Sequence, residues 1–155
     1  MSPPESPTAN RYLQPGWVTK FVFNRAMRRL TKMGISVRGS RELRIVGRTT
    51  GEWRSVPVNP MEIGGERYLV APRGTTQWVR NLRVAGGGEL RIGSRTEPFT
   101  ATELGDDAKP EILREYLRRW KAEVGVFFDG VGPDATTSEL SAIAPGYPVF
   151  AIRFT

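Results

Sequence analysis

A chain of 155 residues, 39% hydrophobic and 25% charged, has the length for one hydrophobic core and not for two. It holds no cysteine and no histidine, which excludes disulfides, thiolate nucleophiles, zinc–thiolate centres, Ser-His-Asp or Cys-His catalysis, and haem held by either residue. Proton transfer is left to Asp, Glu, Tyr, Lys and backbone groups, so difficult chemistry calls for an organic cofactor. The net charge of +7 and pI near 10.4 attract nucleic acid, an anionic membrane surface or a polyphosphate-like small molecule, and also fit mere solubility. No stretch approaches the roughly 18 unbroken apolar residues of a membrane span. The start MSPPESPTAN lacks the charged and apolar regions of a secretory signal, so a cytoplasmic location is expected.

Residues 1–12, rich in Pro, Ser and Thr, read as a frayed leader, and residues 13–155 as one domain. From Trp17 to Met33 the pattern is helical, with Phe23, Met27, Leu30 and Met33 on one face, basic residues on the rest and Gly34 as the C-cap. Such a helix packs on a core or lies on an acidic membrane as a peripheral contact. From Ser40 the period falls to two, with Leu43 and Ile45 alternating with Arg44 and Val46, and the strand ends in the turn Thr49-Thr50-Gly51. Trp53 to Ile63 read as one returning strand in which Pro57 and Pro60 restrict the pairing. Gly64-Gly65 marks a hairpin into the strand Arg67 to Ala71. A helix is predicted from about Thr76 to Val84, capped by Thr75 or Thr76 and stopped by Gly86-Gly87-Gly88.

Glu89 to Ile92 and Thr96 to Leu104 form a further hairpin around Gly93-Ser94. After Asp106-Asp107, a predicted N-cap, Ile112, Leu113, Tyr116, Leu117 and Trp120 share an apolar helix face, which Phe127-Phe128 continue less regularly. Ser138 to Ala144 reads as a short helix, and Tyr147 to Phe154 alternate as a closing strand. Six strands linked mostly by hairpins, with interspersed helices, predict an α+β chain built on an antiparallel barrel. No strand precedes G-x-G-x-x-G or a P-loop, so a Rossmann or Walker nucleotide site is unsupported.

Two segments carry the chemistry. Gly47 to Pro57 places Arg48 and Arg54 on either side of a tight turn with Thr49, Thr50 and Gly51 between them. Turn N–H groups, hydroxyls and guanidinium forks suit phosphate oxygens, and a solvated hairpin tip explains the same residues. Arg73 to Arg83 puts Gly74 before a helix N-terminus, where the dipole favours an anion, with Trp78 able to stack on an aromatic ring. Trp78 and Leu82 are four apart, so a helix turning its apolar face to the core explains them as well.

Together, G-R-T-T-G-E-W-R-S-V-P-V and W-V-R-N-L-R resemble the deazaflavin-dependent nitroreductase family over roughly Leu43 to Leu104. Those proteins are split β-barrels of the FMN-binding type, with flanking helices, that use coenzyme F420. The resemblance implies that Arg48, Thr50 and Arg54 hold the phosphate-bearing tail and that Pro57 and Val58 flank the deazaflavin. It further implies that Arg73 and Gly74 line the path between ring and tail, and that Trp78, Asn81 and Leu82 complete the wall. Thr49 stands where the family often has a second basic residue and Val79 where it often has an aromatic one, and the spacer from Gly74 to Trp78 is short.

The implied activity is hydride transfer from reduced F420 to a small-molecule acceptor: a quinone, an activated double bond or a nitro compound. FMN is the alternative cofactor, and a non-catalytic F420-binding or nucleic-acid-binding barrel the alternative function. Metal is not expected, nor specific nucleic-acid binding, since no basic-aromatic stripe follows one strand. Tyr116 and Tyr147 are the candidate proton donors, with packing as the competing role for both. Split barrels often pair, and the residues around Phe127-Phe128 could serve a homodimer.

Overall fold

Apolar residues at every second position of β1 (Arg41–Val46) put Leu43 and Ile45 on one face, and both are buried in the computed structural model, which describes residues 40–155. The leader, the basic helix from Trp17 to Met33 and its Gly34 cap lie outside the described residues. The turn after β1 is closed from within: Gly47 N–H donates to Glu52 O at 2.7 Å, and Gly51 N–H to Gly47 O at 2.9 Å. Gly51 has φ of +74°, which only glycine adopts without strain.

The returning strand predicted from Trp53 to Ile63 is divided. β2 (Trp53–Val58) pairs with β1, whereas β3 (Met61–Ile63) pairs with β4 (Glu66–Val70). The break falls at Asn59-Pro60, because Pro60 has no N–H for a ladder and restricts the residue before it. Pro57 is tolerated inside β2 because β2 is an end strand of the sheet. This division raises the predicted six strands to seven, all antiparallel, in the order β2-β1-β5-β6-β7-β4-β3. The sheet is thus a curled half-barrel whose end strands β2 and β3 are neighbours in sequence but are not laddered to one another.

Helix α1 (Gln77–Ala85) buries Val79 and Leu82 against Leu43, Ile45, Leu69, Leu90, Phe99, Phe150 and Ile152. Its outer side is anchored by Arg83, which donates to both carboxylate oxygens of Glu103 at 2.7 Å. That hydrogen-bonded carboxylate holds the Arg83 guanidinium above its ordinary pKa. Only Gly86 of the three glycines stops the helix, as a left-handed C-cap, since Gly87 and Gly88 already belong to β5 (Gly87–Ile92). β6 (Arg95–Glu103) follows and pairs with β7 (Val149–Phe154).

A second core gathers Ile112, Leu113, Tyr116 and Leu117 of α2 (Pro110–Val124) with Leu140 of α3 (Thr137–Ile143), Phe128, Tyr147, Met61, Val70 and Val149. Leu69 and Val70, like Phe150 and Val149, are successive residues that enter different cores, so β4 and β7 are covered on both faces. Asp106 does not cap α2. Residues Asp106–Ala108 form a separate 3-10 turn, Lys109 is the N-cap, and Pro110 takes the first turn, where its missing N–H costs nothing. α2 departs from helical geometry at Trp120 (φ −131°, ψ 23°) and leads through Val124 into the 3-10 turn Gly125–Phe127. Thr136 and Glu139 form a reciprocal capping box on α3.

The close approach of β5 to its neighbours gives a direct test. A Cβ on Gly88 would lie 2.5 Å from the Arg44 carbonyl oxygen, with backbone that has nowhere to move. Gly88→Ala is expected to lower stability by at least about 2 kcal/mol in urea unfolding. Gly93→Ala, in open space at φ +63°, should cost only about 1 kcal/mol from backbone strain.

Candidate functional site

The seam between the two ends of the curled sheet opens into a cavity of about 580 Å³, of the size that holds a small organic ligand. The β1–β2 hairpin contributes Arg48, Thr49 and Thr50, and β2 contributes Arg54, Val56, Pro57 and Val58. Across the seam, the end of β4 and the loop after it supply Val70, Ala71, Pro72 and Arg73. The first turns of α1 add Gln77, Trp78 and Asn81 behind the N-cap Thr76. Tyr116, Val124 and Phe127 reach the wall from α2 and the turn that follows it.

The wall is electropositive by composition. It carries Arg48, Arg54 and Arg73 and, among the described residues, no aspartate or glutamate. Arg48 is oriented by α1: its backbone N–H and its Nη1 both donate to Asn81 Oδ1, at 3.1 and 2.8 Å, and its Nη2 donates to Gln77 Oε1 at 2.9 Å. Arg54 has no ion-pair or hydrogen-bond partner among the described residues and sits exposed on the wall. Helix α1 has no acidic residue in its first turn to occupy its positive end. The Thr76 hydroxyl, at the N-cap, makes no capping bond and is buried without a partner among the described residues. Just before it, Gly74 has φ of +85°, a glycine-only conformation.

Arg48, Thr50, Arg54, Pro57, Val58, Arg73, Trp78 and Asn81, which the sequence singles out, all border this one cavity. Gly74 and Leu82 do not line it: Gly74 is a buried turn residue beside Arg73, and Leu82 is 1% exposed in the core beneath α1. Trp78 serves both roles weighed for it, facing the cavity while its ring lies 6.1 Å from that of Phe150. The two tyrosines separate. Tyr116 borders the cavity but is only 3% exposed, with its ring 5.3 Å from that of Trp120. Tyr147, 1% exposed, does not border it, donates its hydroxyl to the Phe127 carbonyl and stacks on Phe128 with ring centroids 4.2 Å apart.

Sequence reasoning did not single out Gln77, Thr76 as a wall residue, Val124 or Phe127 for the site. Gln77 sits beside Trp78 in the second segment, but nothing in one sequence shows that its amide reaches an arginine in another hairpin. Val124 carries no signal beyond apolarity, and Phe127 and Phe128, weighed above for a homodimer face, are instead buried in the second core, 3% and 0% exposed.

The family whose sequence model is described as F420H2-dependent quinone reductase matches residues 20–132. The chain belongs to this family. It is therefore an oxidoreductase that uses coenzyme F420. Among solved structures, an F420-H2 dependent reductase, FDR-A, is 20% identical over 75% of this chain and 95% of its own, with a TM-score of 0.50. ChuZ of Campylobacter jejuni is 10% identical over 86% of this chain and 54% of its own, at a TM-score of 0.51. A pyridoxinephosphate oxidase family protein of Clostridium acetobutylicum, related to a general stress protein, is 14% identical over 88% and 83%, at 0.50. These likenesses share the split-barrel fold. None of the curated proteins matches the chain.

The residues present fit such a cofactor. Among the described residues the wall has three arginines and no carboxylate, which suits an anionic tail. The Thr76 hydroxyl, without a partner among them, stands beside the helix N-terminus as a place for a polar ligand group. Asn81 is the residue on which the site's shape turns, because one oxygen holds both the Arg48 backbone and its side chain. Asn81→Ala is expected to lower stability by about 1 kcal/mol in urea unfolding.

Proposed function

We propose that this reductase holds the phosphate-bearing tail of F420 at Arg48, Thr50 and Arg54 and passes hydride to a quinone, an enone or a nitro compound. The observation that carries the reading is one continuous wall with arginines and, among the described residues, no carboxylate, which also includes the apolar Val70, Val124 and Phe127 beside Tyr116. A phosphodiester and several glutamate carboxylates need distributed positive charge, and Arg54, unpartnered among the described residues, has its charge available. Pro57, Val58 and Trp78 offer flat apolar surface to a ring system, and Arg73 beside Gly74 allows close backbone approach between ring and tail. Asn81 acts from the wall through Arg48, and Leu82 supports that wall from the core.

Bound reduced cofactor supplies the hydride. The chain supplies position, exclusion of water and a proton. Val70, Val124 and Phe127 exclude water from the acceptor. Tyr116 holds a proton toward the acceptor oxygen, a role the Tyr147 hydroxyl is not placed to share because it is bound to a backbone carbonyl in the core.

Turnover of reduced F420 with a quinone, an enone and a nitroaromatic tests the acceptor classes, and no oxidation with any of the three would rule them out. Tyr116→Phe is expected to reduce kcat about a hundredfold with the dissociation constant of F420 unchanged.

Arg54→Ala tests the tail. A charge-assisted contact is worth roughly 1.5–3 kcal/mol, so the variant should bind F420 at least about tenfold more weakly in a fluorescence titration and melt like the parent. Equal binding would put the tail elsewhere. Trp78→Ala should weaken F420 too, but with a lower melting temperature, because its ring also packs on the core.

A further inference from the structure

The geometry points to Gln77 as a positioning residue: with Asn81 it fixes the direction of Arg48 through neutral amide oxygens, so that the guanidinium is oriented and its positive charge is left for the cofactor tail. This rests on the reading that the tail lies at Arg48.

Orientation and neutralisation are separable. Away from the cavity, Arg44 and Arg83 are each fixed by a carboxylate, Glu89 at 3.1 Å and Glu103 at 2.7 Å, whereas Arg114 and Arg119 combine a carboxylate with backbone carbonyls. A carboxylate directs the guanidinium fork and cancels its charge in the same contact. Arg48, on the cavity wall, is held by two side-chain amides, at 2.8 and 2.9 Å. An amide oxygen accepts the same N–H bond but carries no net charge. Position 77 makes the choice of amide informative. It is exposed and is the first residue of α1, where the helix dipole stabilises an acidic side chain. Stability alone therefore favours glutamate there, which would gain both the dipole and an ion pair with Arg48. Glutamine forgoes that gain and keeps the site positive.

The two demands give opposite signs for one substitution. Gln77→Glu should raise the melting temperature by about 1–4 °C while weakening F420 about three- to fivefold at low salt in a fluorescence titration, a loss that shrinks as salt is added. Gln77→Ala, which frees Arg48 without cancelling it, should weaken F420 about twofold with the melting temperature unchanged. A merely structural tether would move the other way, with Gln77→Glu binding as tightly as the parent or tighter, and that result overturns the proposal. Arg48→Ala, run beside them, separates this inference from the site reading beneath it. Should Arg48→Ala bind F420 like the parent, the tail is not at Arg48 and both fall. If it weakens binding while Gln77→Glu does not, only the role of Gln77 falls.

Discussion

Asn59 and Pro60 join strands that stand at opposite ends of a seven-stranded sheet, and two residues of chain span at most about 7 Å. The sheet must therefore curl until its ends meet. The two ends are nevertheless not joined in one ladder. Curling without closure leaves a seam, and the cavity is lined from both sides of that seam, by β2 on one side and the exit of β4 on the other. The site thus follows from a short connection between two end strands that do not pair.

The sheet's second consequence is that β4 and β7 are buried on both faces. α1 and its core occupy one side, and α2 with α3 the other. Beyond the departure from helical geometry at Trp120, Val124 and Phe127 belong to the second core and to the site wall at once. Tyr147 ties the same turn to β7's lead-in through the Phe127 carbonyl. A residue first considered for proton transfer is in this way a structural pin. The wall's apolar part is as rigid as the core it is made from.

Charge placement follows a different logic from packing. Away from the cavity the arginines Arg44, Arg83, Arg91, Arg95, Arg114, Arg118 and Arg119 each have a carboxylate within 4 Å, and much of the chain's positive charge is spent in local pairs on the surface. On the cavity wall Arg48 is held by amides, and Arg54 has no partner among the described residues. Residues 1–39 hold seven basic residues and one acidic one, and residues 40–155 sixteen and fifteen. The positive wall of the cavity therefore reflects where the arginines stand and not an overall excess of charge in the described residues.

The alternation of Leu43 and Ile45, the apolar face from Ile112 to Leu117 and the glycine turns are local signals, and they were legible because period and turn chemistry act over a few residues. The two motifs around Arg48 and Trp78 were legible as well, down to most of the side chains that border the cavity. Local pattern could not show that Trp53 to Ile63 is two strands serving opposite ends of the sheet: the apolar phase shifts between Val58 and Met61, but a shift of one position does not reveal that the pairing partner changes. Nor could it assign Gly87 and Gly88 to a strand, since what forbids a side chain there is the carbonyl of another segment. The same holds for Gln77, Val124 and Phe127, whose residue types are unremarkable. By itself the sequence determined the elements, the absent chemistries and the anion-seeking segments, because these depend on neighbours along the chain. Only the tertiary structure decided which tyrosine reaches the cavity and which amide holds Arg48, because those contacts join residues 20 to 33 positions apart and exist only once the sheet has curled.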